Sequence, residues 1–188
     1  LEDINNQIDN VLAKIKDRRN DESFIPWDID AEFDSKTYIN RGYIDIADNV
    51  AFKTIKDACN CFGHNYAGYQ KAGATHPDSD VMLWFPKLFP NGEWDNQISD
   101  DEEVIIERNE DNTKAKSHVL SHINDSKTHK HKRIVFAKVR GNLGDILYRF
   151  RGQYELNIKD SSPEVGLVWR RTKTRVDTYQ SKNANKKS

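Results

Sequence analysis

The stretch VRGNLGDILYRFRGQYEL, residues 139–156, reads as a strand, a tight turn at GNLGD and a second strand. In the second strand Ile146, Tyr148, Phe150, Gly152, Tyr154 and Leu156 alternate with Leu147, Arg149, Arg151, Gln153 and Glu155. Successive side chains of a strand point to opposite faces. Arg149 and Arg151 are therefore expected on one face and the aromatics on the other. Arg140, Arg149 and Arg151 crowd one short hairpin with positive charge, which calls for an anionic partner.

The neighbouring segments have the same texture. KRIVFAKVR (132–140) and GLVWRRTKTRVDTY (166–179) are rich in β-branched and aromatic residues and read as strands. In the latter, Val168, Arg170, Thr172 and Thr174 oppose Trp169, Arg171, Lys173 and Arg175. VMLWFPKLF (81–89) is the most apolar stretch, and Pro86 predicts a short strand that breaks there. PNGEW (90–94) reads as a turn, and Val104 to Glu107 as a short strand behind an acidic cluster. From Glu107 to Lys132 the chain is almost wholly polar and reads as a long loop, with a helical turn or two at KAKSHVLSHI (114–123).

Upstream, DNVAFKTIKDACNCFG (48–63) places Phe52, Ile55, Cys59 and Phe62 on one helical face. Asp48 or Asn49 is available to cap its start and Gly63 to end it. Ile4, Ile8, Val11, Leu12 and Ile15 predict an amphipathic helix over 1–20 that either caps the domain or ends a linker from an upstream domain. NDESFIPWDIDAEFDSK (20–36) alternates acidic and aromatic residues around Pro26 and reads as extended or loop. QSKNANKKS (180–188) reads as a disordered basic tail. The expected organisation is one α+β domain over 21–179, built on a small, curved, partly open β-barrel with two or three flanking helices.

A net charge of −1 over 188 residues hides an asymmetry. Residues 113–188 hold 18 Lys+Arg against 6 Asp+Glu, a net of +12, and residues 1–112 carry −13. A polyanion-binding surface on the C-terminal part is one reading, and mutual neutralisation of the two halves is the other. Seven basic residues fall on adjacent predicted strands: Arg140, Arg149, Arg151, Arg170, Arg171, Lys173 and Arg175. Arginine beside aromatics grips phosphate while a ring stacks a base, which favours nucleic acid.

Catalytic signatures are lacking. GNLGD has no following Lys-Ser/Thr and helix, so it is no phosphate loop. His118, His122, His129 and His131 cluster in SHVLSHINDSKTHKH, and His118 and His122 have the i, i+4 spacing of a zinc pair. No cysteine lies nearby, so a solvated, pH-sensitive basic loop is the preferred reading and no cofactor is expected. His76, Asp78, Asp80, Glu93 and Glu107 are the carboxylate-rich positions a magnesium nuclease would draw on; capping and turn chemistry accounts for them equally well. Cys59 and Cys61 read as reduced, buried thiols of a cytoplasmic protein. No apolar run approaches the roughly 20 residues of a membrane span, and no charged-then-apolar leader is present. Leu1 in place of a methionine is read as the start of a fragment.

WFPKLFPNGEWDNQIS, IVFAKVRGNLGDILYRFRGQYEL and GLVWRRTKTRVDTY together resemble the C-terminal specificity modules of modification-dependent restriction systems. Those modules belong to the PUA-like group that includes SRA and EVE domains. The resemblance spans residues 80–179, with the helix at 49–62 as an added element. It implies a curved barrel that holds a flipped, modified base, such as a modified cytosine of duplex DNA, in an aromatic pocket. It also implies a nuclease or helicase domain elsewhere in the full-length protein. By type and position, Trp84, Phe85, Trp94 and Tyr148 are the pocket candidates. Core packing is the simpler reading for Trp84, Phe85 and Trp169 taken singly. Three functions stay open: a DNA-reading module of a restriction enzyme, a self-contained metal-dependent nuclease, and a protein-interaction domain whose charged halves pair.

Overall fold

The hairpin in the C-terminal third of the sequence is the centre of the sheet. Strands β7 (Lys132–Arg140) and β8 (Ile146–Leu156) pair antiparallel along their whole length. The computed structural model describes residues 34–68, 70, 74–75, 80–88, 92–140 and 145–179. The expected helix and linker at 1–20, the turn residues 141–144 and the basic tail at 180–188 lie outside the described residues.

In chain order the elements are α1 (Ser35–Arg41), β1 (Tyr43–Asp45), a 3-10 turn (Ile46–Asp48), β2 (Ala51–Phe52), α2 (Ile55–Asn60), β3 (Ala74–Thr75), β4 (Val81–Trp84), β5 (Gln97–Ile98), β6 (Val104–Glu107), α3 (Asn112–Asn124), then β7, β8, β9 (Leu167–Lys173) and β10 (Arg175–Asp177). The main sheet runs β3-β4-β7-β8-β9-β6-β5, with β4 and β7 parallel and the other neighbours antiparallel. β8 divides its second edge: Tyr148 and Arg149 pair with β2, and Gln153 to Leu156 pair with β9. β1 and β10 form a separate two-stranded ribbon. The result is a sheet-dominated α+β fold, as expected, and among the described residues the sheets do not close on themselves.

Two bulges bend β8. Val135 faces Gly152 but Phe136 faces Phe150, so Arg151 is the extra residue on that edge. On the other edge Gln153 faces Lys173 and Tyr154 faces Arg171. Gly152 sits between them at φ +104°, a conformation that side chains disfavour. The extra residue reverses the phase of the alternation. Tyr148 and Phe150 pack in a first core with Phe52, Phe62, Ile134 and Phe136, whereas Tyr154 packs in a second core with Ile105, Val119, Val135 and Trp169. Neighbours Phe136 and Val135 divide between the two cores, so β7 has one on each face. The expectation of one aromatic face along β8 fails at this bulge.

Three local readings change. Residues 51–52 are strand, not helix, because β8 offers an edge there: Phe150 N–H donates to Val50 O at 2.8 Å. The helix starts only at Ile55, where the Thr54 hydroxyl accepts from Asp57 N–H at 3.1 Å as an N-cap. The expected loop from 107 to 132 holds α3, thirteen residues capped by Asp111, which accepts from Thr113 and Lys114 N–H. Its buried positions are Ala115, Val119 and His122, a stripe with too little apolar character to be read as a helix face. The third predicted strand breaks at Thr174, whose carbonyl accepts from Ile46 N–H at 3.1 Å, and β10 turns away to pair with β1. Among the described residues no helix is long and apolar enough to cross a membrane.

Candidate nucleic-acid interface

β2 leads into α2 beside Tyr148, and the chain after α2 folds back against the same place. Lys53, Thr54, Ile55, Lys56, Ala67, Gly68, Gln70 and Tyr148 line a cleft there of about 300 Å³. That is the lower end of small-ligand sites. Its walls are fixed by the first core. Phe52 is fully buried, pairs in register with Tyr148, and sets the position of Lys53 and Thr54. Tyr148 stands edge-on to Phe85 at 5.6 Å, and Phe85 stacks on Phe136. Asn60 fastens the returning chain, accepting from Tyr66 N–H at 2.9 Å and donating to Tyr66 O at 3.2 Å. Gln70 brings an amide with donors and an acceptor, Tyr148 an aromatic surface, and the lysines positive charge. Such a set stacks and hydrogen-bonds a planar polar ligand. The described lining holds no carboxylate, imidazole or thiol with which to hydrolyse one.

Of the four aromatic pocket candidates, Tyr148 lines the cleft and Phe85 backs it. Trp84 and Trp94 lie elsewhere. Trp84 packs on the second core, with its ring 5.8 Å from that of Trp169. The Arg133 guanidinium lies between them, 4.4 Å from the Trp84 ring and 3.9 Å from the Trp169 ring. Glu107 accepts from Arg133 at 2.8 Å and from the Trp169 indole at 3.0 Å. Burial raises the Glu107 carboxyl, but Arg133 and then His118 outweigh it and hold it at about 2. Trp94 meets His118 edge-on at 4.9 Å.

The histidines belong to this second core rather than to a solvated loop. His122 is 5% exposed; its Nδ1–H donates to His118 O at 2.9 Å and its Nε2 accepts from Arg133 at 3.2 Å. Burial pushes its pKa down to about 4. His129 stacks on it at 4.0 Å, and the His131 ring donates to His122 O at 2.7 Å. Of the carboxylates considered for a nuclease, Glu107 is locked in this ion pair and Asp80 pairs with Lys130 at 3.1 Å. His76 and Asp78 lie outside the described residues. Cys59 and Cys61 are free and buried, and burial raises the Cys59 thiol to about 12 and the Cys61 thiol higher still, which leaves both unreactive.

The basic strand residues do not form one open face. Arg149 is 8% exposed; burial, and Arg151 beside it, lower its pKa against the pull of Glu102. Arg151 pairs with Glu102, and Arg171 with Glu103 at 2.5 Å and Glu102 at 3.8 Å. These acids come from the turn between β5 and β6. Arg170 pairs with Asp160 at 2.8 Å. Arg175 pairs with Asp45 at 2.9 Å and lies over the Tyr43 ring. Arg140 and Lys173 are exposed and make no ion pair among the described residues. Lys53, Lys56 and Gln70, which line the cleft, were not legible as site residues. Lys53 and Lys56 read as the polar face of a helix, and Gln70 lies in a glycine-rich connection with no periodicity.

A family model of the SET and RING associated domain, SRA, matches residues 37–178. The chain belongs to the SRA family. The match runs from α1 to the end of β10 and takes in both cores and the whole cleft. Among solved structures, this SRA domain is similar to the 5-hydroxymethylcytosine-specific restriction enzyme AbaSI, with a TM-score of 0.73 and 41% identity over 97% of this chain. The matched part is 58% of the AbaSI chain, so this SRA domain spans little more than half of that enzyme. No curated protein matches it.

Proposed function

We propose that this chain is the DNA-reading module of a restriction enzyme, and that it holds a modified cytosine of duplex DNA, extruded from the helix, in the Tyr148 cleft. The observation that carries the reading is the cleft itself, in a chain of the SRA family: an aromatic wall, an amide and two lysines around a space of about 300 Å³. Extruding a base costs a few kcal/mol, which stacking and edge hydrogen bonds restore. Tyr148 supplies the stacking surface and Gln70 the edge contact. Because AbaSI is specific for 5-hydroxymethylcytosine, that modification is the first to test. The curved sheet, with β8 shared between two partners on one edge, is read as a partly open barrel. We place the module at 21–179, joined in the full-length protein to a nuclease or helicase domain, and working in the cytoplasm. A self-contained nuclease is not favoured, because Glu107 is buried in an ion pair with Arg133.

The test is gel-shift binding to plain, methylated and hydroxymethylated duplexes, with a parallel cleavage assay with and without magnesium. The expected result is tighter binding to a modified duplex and no cleavage. Equal affinity for all three duplexes, or magnesium-dependent product, refutes the reading.

A further inference from the structure

We propose that the DNA backbone is gripped by a rim of five cations around the cleft, Lys53, Lys56, Lys87, Lys138 and Arg140, and not by the arginines of β8 and β9. The proposal rests on the reading of the cleft as a base pocket. A base drawn into the cleft stays joined to its own phosphates, so those phosphates arrive at its mouth. Lys53 and Lys56 line the cleft itself. Lys138 is the cross-strand partner of Tyr148, and Lys87 bridges to Lys138 from the segment after β4. Paired strand residues share a face, so Lys138 lies on the Tyr148 side of the sheet. Arg140 follows two residues on, on that same face, opposite the exposed Ile146.

Charge balance separates this rim from the other basic groups. Among the described residues, Lys87, Lys138 and Arg140 make no ion pair, and Lys56 has only Asp57, at 3.8 Å. The exposed Asp145 is a further acid beside Ile146 at this end of the hairpin. Arg151, Arg170, Arg171 and Arg175 are each paired with a carboxylate of the chain. A phosphate reaching Arg151 or Arg171 must first displace Glu102 or Glu103. A phosphate reaching Lys87, Lys138 or Arg140 displaces no carboxylate that an ion pair holds there among the described residues, and the release of counterions is what makes binding fall with salt.

The experiment is a salt titration of binding to a plain and a 5-hydroxymethylcytosine duplex. It compares the wild-type chain, the triple variant Lys87→Gln/Lys138→Gln/Arg140→Gln, Arg151→Gln, and Lys159→Gln as an exposed control in the turn after β8. The triple variant is expected to keep its melting temperature and to bind both duplexes more weakly by one factor. Its log–log salt slope should flatten by about 0.9 for each phosphate that is no longer neutralised. Lys159→Gln should leave the slope unchanged, and Arg151→Gln should lower the melting temperature with its slope unchanged. An unchanged slope in the folded triple variant, with the preference for modified DNA intact, overturns the rim and leaves the base pocket standing. A wild type without preference whose slope still flattens in the triple variant refutes the pocket and supports the rim. A folded Arg151→Gln protein with a flattened slope returns the grip to β8 and overturns the proposal.

Discussion

Tyr148 and Trp84 are both aromatic residues beside basic strand positions, yet they sit on different faces of the sheet. Tyr148 borders open space, whereas Trp84 is held against Arg133 and the fully buried Trp169. The two should answer substitution differently. Tyr148→Ala should cost less stability than Trp84→Ala and cut the preference for modified over plain DNA by about 1–3 kcal/mol, the worth of a stacked base. Trp84→Ala should cost about 3 kcal/mol of stability or more, by opening a cavity and uncovering the Arg133 guanidinium, with the preference retained. Competition binding and thermal melts on the two variants check this. Loss of preference in a fully stable Trp84→Ala protein would move the pocket to the other face.

Among the elements, β8 decides most. Its bulge at Arg151 and Gly152 lets one strand feed two cores, placing Tyr148 toward α2 and Tyr154 toward α3. The conformation depends on glycine. A Cβ at position 152 would lie 2.5 Å from Lys173 O and 3.0 Å from Arg171 Cδ, on a backbone already at φ +104°. Gly152→Ala should therefore cost at least about 1–3 kcal/mol in backbone strain alone. Urea unfolding should show the midpoint falling with an unchanged slope. An alanine variant as stable as wild type would mean that the bulge relaxes freely and does not set the curvature.

For the whole molecule, the buried layer of Glu107, Arg133 and His122 makes stability depend on acid. His122 Nδ1–H faces a carbonyl and Nε2 faces an Arg133 N–H, so the folded state holds the neutral ring. Its folded pKa of about 4 lies below the ordinary 6.5. Below about pH 6.5 the unfolded chain takes up a proton that the folded one refuses, and stability falls until the folded ring also titrates near 4. Glu107 adds a second loss further down: its folded pKa of about 2 lies under the ordinary 4.5, so its contribution is complete above 4.5 and drains away toward 2. Melting temperature against pH should be level from about 6.5 up to the ordinary thiol pKa of 9.0, above which the raised Cys59 and Cys61 thiols cost stability, and below 6.5 it should descend in these two stages. In His122→Gln the first descent should be absent; an unchanged descent there would place the titrating group elsewhere.

The hairpin, the strand of Val104 to Glu107, the break at Pro86 and the α+β class were readable from order alone, because strand periodicity and turn residues act over a few neighbours. The alternation from Ile146 to Phe150 needed no distant partner to be interpreted. The face of Tyr154 was not readable, since the one-residue bulge at Arg151 reverses every later side chain and only the pairing with β7 reveals it. Nor was the extent of α3, whose inner face is completed by a histidine that becomes acceptable inside only when Arg133 and a carbonyl satisfy both its nitrogens. The total of basic residues followed from the chain, but which of them stay open to an anion was decided by Glu102, Glu103, Asp160 and Asp45. Ion pairing acts through space, and the cleft likewise exists only where β2, the connection after α2 and β8 meet.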